Sequence, residues 1–292
     1  MGGKDGTRAG IVELLAPQNV FTAVADTLAG LALGFGGLAA VPARGFWLLG
    51  ACAALYLGGM ALDDYCDRDV DARKRPERPI PSGRVPAAAA LAIAIGLLVL
   101  GLLFGFAAGA LLPAAALGVA IVLYHAVLED TPAGFLNMGI CRGLDVALAL
   151  AIAPGVPPLA VAAALCVAAY AATLTYLSHV EVASGSKERT RRALTALAWT
   201  AFLITVSLSA TSSPFFGGVF LFALLARGMP LFLPLWATAD ATTIGRAIGG
   251  GVLLIPLFDG VFVAASGSPL SALVIASLML PAIGLRRLYS PL

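Results

Sequence analysis

Five aspartates crowd the stretch MALDDYCDRDVDARKRPERPIPSGRV, residues 60–85: Asp63, Asp64, Asp67, Asp69 and Asp71. Asp63, Asp67 and Asp71 are spaced four apart, so a helix stacks them along one face. Like charges at that spacing repel by roughly 0.2–0.5 kcal/mol per pair. The arrangement makes chemical sense with a cation between the carboxylates. Their hard oxygens suit Mg²⁺, which is commonly held by one or two carboxylates together with substrate phosphates. The basic residues that follow, Arg73, Lys74, Arg75, Arg78 and Arg84, suit the phosphates. A plainer reading is a solvated loop of mixed charge. It leaves unexplained why the acids run in register straight out of an apolar segment.

The elements that position these residues are membrane helices. The chain has 292 residues, is 60% hydrophobic and only 12% charged, against about 25% charged in a soluble domain. These values describe an integral membrane protein and one membrane domain over residues 1–292. Apolar segments lie at about 19–41, 45–62, 87–108, 110–128, 134–154, 157–178, 193–212, 214–236, 247–266 and 269–285, each near the ~20 residues a bilayer core requires. Their junctions fall at Pro or Gly, and strand alternation is absent, which excludes a membrane β-barrel. The fold class is therefore all-α, a polytopic bundle of nine to ten transmembrane helices. A net charge of +2, without a basic patch interleaved with aromatics, gives no nucleic-acid surface. The four cysteines show no CxxC or zinc spacing and read as free thiols. Residues 1–15 match neither a cleavable signal nor a myristoylation signal.

Lys and Arg set the orientation. They precede the first segment (Lys4, Arg8), fill the loop after the second and the loop after the sixth (Lys187, Arg189, Arg191, Arg192), and end the chain (Arg286, Arg287). The opposite connections are almost free of basic residues except Arg44. The N-terminus and the 2–3, 4–5 and 6–7 connections are thus expected on the cytoplasmic side, with the plasma (inner) membrane as the expected location. Two charged loops, four segments apart, then meet at the cytoplasmic mouth of a helical bundle.

The run DDYCDRDVDARKRPERPIPSGRV resembles the first aspartate motif of the UbiA superfamily of intramembrane prenyltransferases, N-D-x-x-D-x-x-x-D followed by PERP-[IL]-x-SG-[RK]. Asp64, Asp67 and Asp71 match its three aspartates, and Asp63 stands where the family usually has Asn. Pro76, Glu77, Arg78, Pro79, Ser82, Gly83 and Arg84 match the tail. The family usually carries a second D-x-x-x-D in the loop after the sixth helix. Here, in TYLSHVEVASGSKERTRR, Glu181 falls at the first of those positions and Gly185 at the second, with Glu188 one turn further on. The single acid of HVEV is similar to the EboC-like bacterial branch.

The resemblance implies a Mg²⁺ site on Asp63, Asp64, Asp67, Asp71 and Glu181, with Asp67, Asp71 and Glu181 catalytic. It implies that Arg78, Arg84, Lys187 and Arg189 bind the diphosphate of a polyprenyl or other allylic substrate. For Arg191 and Arg192, positive-inside charge alone is the better reading. Asn137 and Arg142 match an Asn and an Arg that the family offers to its cavity. Independently of that likeness, Arg142 and Asp145 are three apart in FLNMGICRGLDVALALA and can pair on one helix face. Charges inside a membrane helix face the bundle or a cavity. Asn19 matches a Pro-x-Asn signature, and a lone Asn can equally bond a neighbouring helix. His125 reads as an interfacial loop residue. Arg227 and Asp259 are intramembrane charges that either pair or cap a polar path.

The function implied is transfer of an isoprenoid group from an allylic diphosphate to a small acceptor, with Mg²⁺-assisted loss of diphosphate. A class I terpene cyclase on the same fold is the first alternative. A secondary transporter, of another class, predicts internal repeats and broken helices at the midplane; the sequence shows no repeat, and its densest charge lies at the membrane surface. The D-x-x-D-G-x-x-A-R pattern of membrane alcohol-phosphotransferases is absent, since Asp67 is followed by Arg68.

Overall fold

A computed structural model describes residues 2–182, 186–211 and 213–289. Among these residues there is no strand, and each of the ten apolar segments is helical. The chain is an integral, multi-pass membrane protein. The short helix α1 (Gly2–Leu15) precedes α2 (Val20–Phe35), α3 (Gly45–Lys74), α4 (Ala87–Ala108) and α5 (Leu111–Leu123). A π-helical turn, Tyr124–Leu128, prolongs α5. Then follow α6 (Gly134–Leu150), α7 (Pro158–Val182), α8 (Lys187–Ser209), α9 (Pro214–Phe232) and the single turn α10 (Pro234–Ala237). The last four helices are α11 (Ala241–Leu253), α12 (Ile255–Ala265), α13 (Pro269–Ser277) and α14 (Met279–Tyr289).

Among the described residues seven helical stretches are long and apolar enough to cross a membrane, and α11 with α12, bent by 41°, makes an eighth when the pair is taken as one span. The sequence expectation of nine to ten spans also included α2 and α6. At 16 and 17 residues and 1.5 Å per residue they reach only about 25 Å. Both are nevertheless central. Eleven residues of α2 are buried, as is every residue of α12, which packs against it. Outward faces carry large exposed apolar side chains such as Phe106, Leu112 and Phe222, the surface that lipid covers.

Lipid is as apolar as a leucine side chain, so close backbone approach rather than apolar burial holds such a bundle together. Glycines supply it at two decisive crossings. A Cβ on Gly30 of α2 would lie 2.4 Å from the carbonyl oxygen of Val146 on α6. A Cβ on Gly59 of α3 would lie 2.7 Å from Cγ2 of Ile121 on α5. The first crossing brings two charged helices together, and the second lays the end of α5 against the aspartates of α3.

At 30 residues, α3 is about 45 Å long, longer than a bilayer core. Its last turns therefore project beyond the apolar layer, and these turns carry Asp63 to Asp71. The connection after α5 meets them through His125. It also meets the start of α8, where a cavity is lined by Asp130, Phe135, His179 and Arg189. The three connections expected on one side thus lie at one end of the bundle.

Candidate active site

The helix α3 stops at Arg75, whose N–H donates to the Asp71 carbonyl. Pro76 cannot continue it. The chain then folds back over the helix end. Ser82 N–H bonds to Arg78 O and Val85 N–H to Pro79 O, and Gly83 takes the left-handed φ of 74° that closes the turn. This fold-back carries Arg78 onto α3. Its Nη1 donates to Asp64 Oδ1, and its Nε lies 3.9 Å from Asp71 Oδ2. Asp64 and Asp71 are buried and Arg78 is about a third exposed. Burial works against the Arg78 charge, but the carboxylates of Asp64 and Asp71 outweigh it and hold the guanidinium above its ordinary value. Asp67, half-buried between them in sequence, makes no ion pair among the described residues.

Asp63 is engaged by α5 instead. His125 Nδ1 lies 2.8 Å from Asp63 Oδ1 and 3.1 Å from Glu129 Oε2. The π turn makes this possible: Glu129 N–H bonds to Tyr124 O, five residues back, and the wider turn brings residues four apart nearly into line. Burial pushes the Glu129 carboxyl up to about 7, with His125 opposing the shift. His125 is therefore a residue of the site and not the interfacial loop residue read from sequence. Its signal was faint, a histidine four before a glutamate at the end of an apolar run.

Inward of the aspartates lies a cavity of about 200 Å³, mostly apolar, with Asn19, Tyr56, His125, Arg142 and Asp145 among its lining residues. Its floor is ionic. Arg142 Nη2 stands 2.6 Å from Asp26 Oδ2, and Nη1 stands 3.6 Å from Asp145 Oδ2. Cys52 Sγ donates to Asp145 Oδ1 at 3.3 Å, and Thr27 Oγ1 donates to the Asp145 carbonyl. Asp259, on α12 packed against α2, adds a further buried carboxyl near Asp26. All four charged side chains are buried. The expected pairing of Arg142 with Asp145 is present but is the longer of two. The Arg142–Asp26 approach is close without hydrogen-bond alignment, and Asp26 Oδ1 and Oδ2, Arg142 Nε and Nη2, and Asp259 Oδ2 lack hydrogen-bond partners. Asp26 escaped the sequence reading as a partner, although a lone acid in an apolar helix was itself a signal. Arg227 is exposed on α9, so the pairing with Asp259 read as one option from sequence does not form.

Other anticipated residues are placed differently. Asn137 is buried and donates to Ala120 O on α5, a helix–helix bond rather than a place among the cavity-lining residues. Arg84 pairs with Glu13 of α1 at 2.6 Å and donates to Glu77 O, so it fastens the fold-back segment. Lys187 and Arg189 are exposed on the first turn of α8, where Ser186 caps the helix. Glu188 pairs with Arg192 on the outer face. The side chain of Glu181 and residue Gly185 lie outside the described residues.

The donor set fits Mg²⁺. Asp64 and Asp71 already converge on one cationic group, and Asp67, on the same helix between them, adds a third hard oxygen ligand.

The profile of the UbiA prenyltransferase family matches residues 23–239. Digeranylgeranylglyceryl phosphate synthase of Ignicoccus hospitalis is 40% identical over 114 residues, 39% of this chain and 36% of that protein. The chain spans between about a third and a half of the length of the first curated relatives it matches. Among solved structures, the apo UbiA homologue from Aeropyrum pernix K1 superposes with a TM-score of 0.64 at 18% identity, covering 80% of this chain and 94% of that one. The Archaeoglobus fulgidus UbiA homologue bound to DMAPP and Mg²⁺ gives 0.56 at 15% identity, covering 91% and 99%. At these identities the structural matches establish a shared fold.

Proposed function

Because the chain belongs to the UbiA prenyltransferase family, we propose that it transfers an isoprenoid group from an allylic diphosphate to a small acceptor, as one domain over residues 1–292. The observation that carries this reading is the convergence of Asp64, Asp67 and Asp71 of α3 with Arg78, directly above an apolar cavity floored by Arg142 and Asp145. Named relatives are digeranylgeranylglyceryl phosphate synthases, and a structural neighbour holds DMAPP and Mg²⁺.

In this reading Asp64, Asp67 and Asp71 hold the metal, with Glu181 as the further ligand that the sequence resemblance implies. Mg²⁺ at that site would supply Lewis-acid neutralisation of the leaving diphosphate. Arg78, drawn off its two carboxylates, gives charge-assisted hydrogen bonds to phosphate oxygens, with Lys187 and Arg189 adding charge from the second loop. The isoprenoid tail lies in the apolar cavity, whose walls keep water from the allylic cation. Asn19 and Arg142 orient the acceptor from the cavity wall. Asp145, lining the same cavity, joins them in binding the substrate. Arg84 and Asn137 act through position, the first on the fold-back segment and the second on α5. The Lys and Arg distribution supports a cytoplasmic orientation of this mouth, and the membrane in this reading is the inner or plasma membrane.

The test uses purified protein in lipid nanodiscs with Mg²⁺ and allylic diphosphates from dimethylallyl to geranylgeranyl. Taking one geranylgeranyl group from the product that names the relatives leaves geranylgeranylglyceryl phosphate, the first acceptor to try. Mg²⁺-dependent diphosphate release with a prenylated acceptor in the mass spectrum is the expected outcome. Diphosphate release with cyclic hydrocarbons and no need of acceptor would make the protein a cyclase. No release from any donor would remove both.

A further inference from the structure

Asp63, His125 and Glu129 form a cluster in which His125 and Glu129 have no part in the diphosphate chemistry proposed above, and Asp63 meets them rather than Arg78. One ligand atom of each lies within 4.8 Å of the others. The site joins two elements. Asp63 comes from α3, and His125 and Glu129 come from the π turn that ends α5. The glycine at position 59 lets the end of α5 in, since a Cβ there would lie 2.7 Å from Cγ2 of Ile121, one turn before His125. The side chains are 18%, 10% and 32% exposed for Asp63, His125 and Glu129. Two carboxylates this close and this buried call for a positive partner. The imidazole Nδ1 sits between them, 2.8 and 3.1 Å away.

Two chemistries satisfy such a set: a proton on the ring, or a divalent cation on all three. The donor types favour the cation. One neutral imidazole with two carboxylates balances a 2+ charge, and this N,O,O set is that of borderline first-row ions, whereas Mg²⁺ prefers all-oxygen sites with retained waters. Asp63, where the related motif usually has a neutral Asn, supplies one of the two charges. The geometry needs little change: two ligand atoms bound at ~2.1 Å in a tetrahedron stand about 3.4 Å apart, so the contacts open by well under 1 Å. Three protein ligands leave at least one coordination position open, and His125 borders the cavity.

We infer that Asp63, His125 and Glu129 bind a first-row divalent cation such as Zn²⁺, with Mn²⁺ as a weaker occupant, at a site separate from the carboxylates Asp64, Asp67 and Asp71. The ion ties the π turn of α5 to α3 at the cavity mouth. The assignment stands whether or not the protein transfers prenyl groups.

The experiment uses the full chain in detergent, stripped with EDTA and titrated with Mn²⁺ alone. Bound Mn²⁺ is counted by electron paramagnetic resonance, and a directly bound imidazole is read from nitrogen modulation of the spin echo. The chain has two histidines, so a His179→Gln background assigns the nitrogen to one residue. The expected result is nitrogen coupling in that background and in Asp67→Asn, lost in His125→Gln. Asp63→Asn and Glu129→Gln, milder changes that keep side-chain size, should weaken the coupled site by at least the ~10–100-fold that even outer-sphere partners contribute. Zn²⁺ should displace the coupled Mn²⁺ while millimolar Mg²⁺ does not. Absence of nitrogen coupling in the background protein, or its survival in His125→Gln, would mean that a proton rather than a metal bridges the cluster and would overturn the assignment.

Discussion

The contact of Arg78 with Asp64 and Asp71 makes a quantitative demand. These carboxylates, 6% and 7% exposed, are neutralised by a guanidinium that is 32% exposed. The same carboxylates are the ones that would hold Mg²⁺, so metal binding must first displace Arg78. A fully exposed pair contributes about 0–1 kcal/mol, while breaking a fully buried one costs ~3–5 kcal/mol. With one partner buried and the other a third exposed, the competition is on the order of 1–2 kcal/mol, and 1.4 kcal/mol is about tenfold in affinity. Arg78→Gln should therefore tighten Mg²⁺ binding, measured without diphosphate, by about tenfold. It should also melt lower than the parent in EDTA, because two buried carboxylates lose their counter-charge, and regain much of that loss in saturating Mg²⁺. Isothermal titration with MgCl₂ and thermal unfolding in the same detergent measure both effects. With an allylic diphosphate present the sign should reverse, since the variant then lacks a phosphate ligand. Mg²⁺ binding to Arg78→Gln that is no tighter than to the parent would refute the reasoning.

Three other outcomes are expected. Asp67→Asn should lower Mg²⁺-dependent turnover by about 10²–10³-fold with an unchanged melting temperature; activity near that of the parent would contradict its place in the site. Arg142→Met leaves Asp26 and Asp145 buried without their cation and should destabilise by about 3–5 kcal/mol, with part of the loss restored by adding Asp26→Asn. An unshifted thermal melt of the single variant would dismiss that account. Gly30→Val puts a Cβ against the Val146 carbonyl and should cost ~1–3 kcal/mol or more, whereas Gly96→Ala, with nothing within 4 Å, should leave the melt in place; equal behaviour of the two would show that the α2–α6 crossing yields.

Much of the architecture was legible from residues near one another in the chain. Apolar runs of membrane length, Pro and Gly at their junctions and the sidedness of Lys and Arg are local properties, and the observed helices follow those runs. The four-residue spacing of Asp63, Asp67 and Asp71 was equally local. Partnerships between helices were not legible in this way. Nothing in the composition around His125 says that it meets Asp63, 62 residues earlier. That meeting depends on Gly59 admitting the end of α5 and on a π turn instead of an α turn. Arg142 shows the same division. Its spacing from Asp145 was readable, but its nearer partner Asp26 reaches it across the α2–α6 crossing that Gly30 permits, and Asp259 joins from α12. Asn137 could be read as polar inside the membrane; its bond to the Ala120 carbonyl depended on which way α6 was rotated. Sequence by itself determined which segments enter the bilayer and which of them carry charge, because transfer into lipid is decided by each segment's own composition. The tertiary structure decided which charges meet, because in a bundle closed by backbone approach the small residues at each crossing set the rotation of every helix, and with it the partner of every buried polar side chain.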